Sequence, residues 1–321
     1  MSLFHFRQPV DCATTSRRNV REASAVLKSY QPSPPFNFGG LFPEFSDFAR
    51  SPIVVWPVPF ERTTTYMAGT RKGPCAILEA SRNMELYDEE LGGEVYRMGI
   101  HTLEEMETQE GTIEQVMAAI RTTAASLLGE GKFFVMLGGE HSITSPAVSA
   151  CARKYEDLTV LQIDAHADLR ESYQGNPYSH ASAMRRVLEI CPAVQVGIRS
   201  LSVEEAEDIP KLKTKIYWAK EIVERPTAVW APRVAADLSE HVYLTIDIDG
   251  LDPSLVPATG THEPGGFTWQ QVTALIREVA ARKKIVAMDL VELLPQPGHH
   301  ASDFLAAKLI YKTLGYIFLH K

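Results

Sequence analysis

From residue 51 onward the chain alternates short apolar runs with longer segments of helical period, and few architectures accept that pattern. Residues 53–58, 133–137, 158–163, 193–198, 216–218, 242–246 and 285–290 read as strands. Between and after them, residues 73–86, 112–128, 145–155, 180–190, 203–209, 268–281 and 301–318 read as helices. The first of these starts near Pro74, a residue tolerated in a first helical turn. The second carries Ile113, Val116, Met117 and Ile120 on one stripe. Short strands that are apolar on both faces need cover on both sides, as in a parallel sheet sandwiched by helices. The expected fold is α/β, a three-layer αβα sandwich around an open, mostly parallel sheet. Ligands of such sheets gather beyond the carboxyl ends of the strands.

Several of those ends are crowded with ionisable groups. The run to Ile163 continues into Asp164-Ala165-His166-Ala167-Asp168. In an extended chain Asp164, His166 and Asp168 share one face. The run 242–246 continues into Asp247-Ile248-Asp249-Gly250, where Asp247 and Asp249 share a face. A calcium loop is a poor match here, because its twelfth position would be Ala258 instead of glutamate. The run 133–137 leads into Gly138-Gly139-Glu140-His141-Ser142, whose glycines permit a tight turn that leaves His141 just past the strand. Buried charges of one sign are costly unless compensated. A divalent cation is the simplest compensator, and salt bridges to arginines are the other. Two histidines and four carboxylates suffice for two metal ions that share bridging carboxylates.

Composition narrows the functional classes. The 321 residues are 45% hydrophobic with net charge −8, and the basic residues are scattered, which argues against nucleic-acid binding. Four cysteines, Cys12, Cys75, Cys151 and Cys191, lie far apart and read as free thiols of a reducing compartment. No signal peptide and no run of about twenty apolar residues is present, so a cytoplasmic protein without a membrane span is expected. Residues 1–50 read as an irregular N-terminal arm with one short helix at 17–30, and residues 51–321 as the catalytic domain. Prolines and glycines interleaved with Phe36, Phe38, Phe42, Phe45 and Phe48 suggest a loop packed onto its own domain.

Taken together, the motifs resemble the ureohydrolase family, which includes arginases and agmatinases. The resemblance is carried by the three stretches above, by Gly260-Thr261-His262-Glu263-Pro264-Gly265-Gly266 and by Asp289-Leu290-Val291-Glu292, in that order. It implies two manganese ions. His141, Asp164, Asp168 and Asp247 would hold one; Asp164, His166, Asp247 and Asp249 would hold the other, with Asp164 and Asp247 bridging. It also implies Glu292 as the grip on a substrate guanidinium and His180 as proton shuttle, and an assembly of three or six identical chains. Pro59-Phe60, Gly69-Thr70-Arg71-Lys72-Gly73-Pro74 and Asp168-Leu169-Arg170 look most like bacterial agmatinases. Arginases commonly carry asparagine where this chain has Arg170, which would then contact substrate.

These roles agree with elementary chemistry. An oxygen-rich donor set with some imidazoles and no thiolate suits manganese and disfavours structural zinc. Two cations sharing a water would lower its pKa. A carboxylate pairs with a planar guanidinium through two parallel hydrogen bonds, and a histidine can protonate a departing amine. The expected reaction is hydrolysis of agmatine to putrescine and urea. The nearest alternatives are the same chemistry on guanidinobutyrate, arginine or guanidine, with Arg170 meeting a carboxylate, and amide hydrolysis at a single zinc. His262, His299 and His300 read equally well as loop residues, and Ser142 as a turn-fixing hydroxyl.

Overall fold

Residues along each central strand alternate between two apolar layers. Ile53 and Val55 enter one core, while Val54, Trp56 and Val58 enter the other. The computed structural model describes residues 33–319, and the sheet belongs to a compact unit, Phe36–Lys321. The helix expected at 17–30 and Cys12 lie outside the described residues. The strands are β1 (Ile53–Val58), β2 (Ile100–Thr102), β3 (Phe133–Gly138), β4 (Leu158–Ile163), β5 (Ala193–Ile198), β6 (Thr214–Trp218), β7 (His241–Asp247) and β8 (Lys284–Val291). They form one sheet in the order β2-β1-β3-β8-β7-β4-β5-β6, with every pair parallel.

Helices cover both faces. In chain order the longer ones are α1 (Gly73–Ser81), α2 (Ile113–Gly129), α3 (Thr144–Lys154), α4 (Ala183–Leu188), α5 (Val203–Asp208), α6 (Thr227–Asp237), α7 (Trp269–Arg282) and α8 (Ala301–Phe318). Helices α1, α6, α7 and α8 share one core with the sheet; α2, α3 and α4 share the other. The three-layer αβα reading therefore holds. Helices α2, α5 and α7 each begin with a capping box, from Thr112, Ser202 and Thr268, which satisfies backbone donors in the first turn. Phe38 and Leu41 are buried in the α1 core, Phe45 sits edge-on to Tyr96 and Phe48 edge-on to His101.

The connection that follows β3 leaves His141 just past the strand, and close packing adds a second demand for its glycines. Gly139 is needed for close approach: a Cβ there would lie 2.1 Å from the Phe60 carbonyl oxygen, and one at Gly138 would lie 2.5 Å from Ile143. Both backbones press against neighbours so that His141 can sit at the start of the tight helical turn His141–Ile143. Gly139→Ala is expected to destabilise the fold by about 3 kcal/mol or more, because the contact is with backbone that cannot rotate away. A chemical-denaturation midpoint unchanged from the parent would contradict this.

Candidate metal centre

Four adjacent strands in the middle of the sheet, β3, β8, β7 and β4, deliver the charged groups from their carboxyl ends. The chain leaves β3 and re-enters at β4, with two strands in between, and the crevice of an open α/β sheet lies at such a switch. His141 follows β3, Asp164 follows β4, Asp247 ends β7 and Glu292 follows β8.

The six predicted ligands converge, though not through strand pleating. Strand β4 stops at Ile163, and Asp164 Oδ1 accepts the backbone N–H of His166 at 2.6 Å, which closes a turn. Asp168 has a left-handed backbone, φ 53°. Asp249 sits in the turn Ile248–Gly250, whose first N–H bonds are capped by Asp247 Oδ1 at 2.9 Å. Ala165 N–H donates to Asp249 Oδ1 at 3.1 Å, tying the two turns together. Two groups of potential ligand atoms result: His141, Asp164 and Asp247, and Asp164, His166 and Asp249, with Asp164 common to both. Asp168 Oδ2 joins the first at 3.1 Å from His141 Nδ1.

The surroundings show that a cation fits. His141 Nε2 donates to the Thr245 hydroxyl at 2.8 Å, since that hydroxyl gives its own proton to Asp289 Oδ1 at 2.5 Å. Asp289 is fixed by two further donors, Thr144 Oγ1 at 2.9 Å and Tyr243 Oη at 2.7 Å. With its proton on Nε2, His141 presents a bare Nδ1 lone pair. That atom is buried without a hydrogen-bond partner and faces Asp164, Asp168 and Asp247 at 3.2, 3.1 and 3.4 Å. Three carboxylates around one imidazole nitrogen call for a positive charge there: burial opposes a second proton on the ring, yet Asp164, Asp168 and Asp247 hold its pKa well above the ordinary range, and a cation in the same place meets the same demand. The titration pattern agrees: burial, then Asp249 and Asp168, push the Asp164 carboxyl up to about 7. Burial opposes charge on His166, yet Asp249 above all lifts it to about 11. Behind Asp164, Gln162 donates to its Oδ2 at 2.6 Å and is itself held by Gln195 at 2.5 Å.

A small cavity of about 140 Å³ opens onto this cluster, lined by His166, Asp168, Arg170, Tyr173, His180, Asp247, Thr261 and Glu292, among others. A larger cleft of about 580 Å³ beside Phe304 has no comparable cluster, so size does not mark the site here. Glu292 has φ 63°, its N–H donates to Gly139 O at 2.7 Å, and its Oε1 accepts the N–H of His141 at 2.8 Å. Burial and then Glu140 hold its carboxyl well above the ordinary range, against the opposing pull of the His141 N–H and ring. Non-glycine residues at positive φ are strained, and Asp168 and Glu292 are two of three among the described residues. Arg170 stacks on Tyr173 at 5.0 Å and faces the buried Glu205 at 3.9 Å. The other histidines stay outside: His262 contacts Pro257 O at 2.6 Å, and His300 contacts Asp303 at 3.1 Å near the exposed His299. Ser142 donates to Glu140 at 2.8 Å.

Sequence reasoning missed the supporting shell. Thr245 and Asp289 are polar interruptions of the apolar runs in β7 and β8, and that was the available signal. Arg199 left none: its guanidinium binds the carbonyls of Asp249 at 2.7 Å and Glu263 at 2.8 Å, clamping the second ligand turn.

Comparison with known proteins gives the arrangement a context. A family model described as the arginase family matches residues 51–315. The N(1)-aminopropylagmatine ureohydrolase of Synechocystis sp. is 38% identical over 279 residues, spanning 84% of this chain and 90% of that protein. An agmatinase of Bacillus anthracis is 35% identical over 271 residues, spanning 83% and 92%. The crystal structure of the agmatine ureohydrolase of Thermoplasma volcanium superposes with TM-score 0.82 at 30% identity, covering 92% of this chain and 98% of that one. No described helix is long and apolar enough to cross a membrane. On these matches, and on the parallel sheet whose central ends carry the clustered carboxylates, the chain belongs to the arginase family.

Proposed function

We propose that the chain is a ureohydrolase using two manganese ions to cleave the guanidino group of agmatine, giving putrescine and urea. The observation that carries the reading is the bare, buried Nδ1 of His141 among three carboxylates, beside a cavity that Glu292 also lines. His141, Asp164, Asp168 and Asp247 would hold one ion, and Asp164, His166, Asp247 and Asp249 the other. When bound, such a pair supplies an acidified water as nucleophile.

The residues of the chain do the rest. Glu292, fixed by its bonds to Gly139 and His141, orients the planar guanidinium by charge-assisted hydrogen bonds. His180, at the cavity wall, gives the departing amine its proton. Arg170 faces Glu205 and Tyr173, so its charge is already accompanied, which disfavours a second role in gripping a substrate carboxylate. The assembly is a trimer or hexamer in the cytoplasm.

A second reading has its own support. The Synechocystis relative, whose name specifies N(1)-aminopropylagmatine, is 38% identical against 35% for the Bacillus anthracis agmatinase. The aminopropyl derivative presents the same guanidino end with a longer cationic tail. Urea release from manganese-loaded protein tests both. Agmatine or its aminopropyl derivative is expected to exceed arginine and guanidinobutyrate in kcat/KM by about 100-fold or more, since a substrate carboxylate lacks a free partner. Release of no urea from any guanidino compound refutes the activity. Preference for a carboxylate-bearing substrate returns Arg170 to the substrate site.

A further inference from the structure

Three consecutive residues after β1 are fixed in different directions. Glu61 accepts the backbone N–H of Thr70 at 3.0 Å and that of Gly69. The Arg62 guanidinium donates to the carbonyls of Thr108, Glu110 and Gly111 at 2.5, 3.0 and 2.8 Å. Thr63 reaches across to Glu140, its N–H donating to Oε2 and its hydroxyl to Oε1, both at 2.8 Å. Glu140 is fully buried and takes two more donors, Arg62 N–H at 3.1 Å and Ser142 Oγ at 2.8 Å. Four donors around one carboxylate leave it an acceptor at every contact.

A threonine hydroxyl has one proton. With that proton committed to Glu140, the Thr63 oxygen offers only lone pairs to its other neighbours. Those neighbours are the backbone N–H of His180 at 3.1 Å and the ring Nδ1 of His180 at 3.2 Å. Ser179 Oγ is a more distant neighbour of that nitrogen at 3.5 Å, and the Tyr173 ring lies edge-on to the imidazole at 6.2 Å.

We propose that Thr63, anchored by the buried Glu140, is a positioning residue for His180: it keeps a proton on Nδ1 and leaves Nε2 as the nitrogen that serves the cavity. The proposal rests on the reading of His180 as the proton carrier and adds how its ring is held. A carrier whose inner nitrogen is always protonated takes up and releases protons at one atom, in one place. Without the hydroxyl the ring can flip and either nitrogen can present itself, so fewer complexes have the proton where the leaving amine needs it.

The test uses the full chain as Thr63→Val, Thr63→Ser and His180→Asn variants. Nitrogen-15 spectra of histidine-labelled, magnesium-loaded protein report the tautomer, with His180 assigned by the signal missing from His180→Asn. The Nδ1–H tautomer is expected in the parent and in Thr63→Ser, and its loss in Thr63→Val. On manganese-loaded protein, Thr63→Val is expected to lower kcat about 10- to 100-fold, as loss of an outer partner does, with KM within about threefold and both ions retained. Thr63→Ser should recover kcat to within about threefold of the parent, by keeping the hydroxyl. An Nε2–H tautomer in the parent, parental kcat in Thr63→Val, or a Thr63→Ser variant as slow as Thr63→Val overturns the proposal. Full turnover by His180→Asn, or no urea release by the parent, removes the proton-carrier reading instead. The spectra still decide separately whether Thr63 holds the ring.

Discussion

Asp247→Ala is expected to lose bound metal and turnover together. Its carboxylate belongs to the first ligand group and steadies the second: Oδ2 lies 3.4 Å from His141 Nδ1, and Oδ1 accepts the backbone N–H of Asp249 at 2.9 Å. Removing it deletes one ligand outright and loosens the turn that presents another. The loss in kcat/KM should therefore exceed the roughly 100-fold typical of removing a ligand's outer partner. Metal content measured on the same purified sample should fall from two ions per chain to one or none. A variant that keeps two ions would show that Asp247 does not bridge.

Glu292→Gln is expected to lower kcat/KM about 100- to 1000-fold while keeping the metal. The amide preserves an acceptor for the His141 N–H, 2.8 Å away, so the first ligand stays in place. What disappears is the negative charge that, on the proposed reading, would meet the guanidinium. Two charge-assisted hydrogen bonds weakened together account for about 3–4 kcal/mol, which at about 1.4 kcal/mol per decade gives that range. Steady-state kinetics with agmatine, alongside metal analysis, checks it. Unchanged kcat/KM would assign the guanidinium to another acid.

The parallel sheet and the clustered ligands were legible because buried strands leave little freedom. A run such as Phe133–Gly138 is buried at every position, and a charge just beyond it is conspicuous. The mechanism of convergence was not legible. Pleat alternation singled out the aspartates and histidine that cluster, but turns closed by the carboxylates themselves bring them together. Helix α6 escaped notice because Pro226 precedes it and Pro232 lies inside it, and both read as breakers. Strand β2 is three residues long, too short for a period to show. Helix α1 was expected to run to residue 86, but it stops at Ser81. The Asn83 amide takes the carbonyl of Glu79, and the Ser81 hydroxyl that of Leu78, so side chains end the helix before the apolar pattern does. Thr63 gave no signal, since nothing in Thr63-Thr64-Thr65 separates the first hydroxyl from its neighbours until Glu140 is folded against it.

The order of the sheet also bears on when the protein can acquire its ions. His141 and Asp164 follow β3 and β4, but the two strands between them, β8 and β7, are made later in the chain. During synthesis the early ligands emerge with a gap between them that only the last third of the polypeptide fills. A nascent chain arrested before His241 would carry four of the six donors but lack Asp247, Asp249 and the two strands that close the gap. Cation capture by the full donor set would thus wait for completion of the sheet.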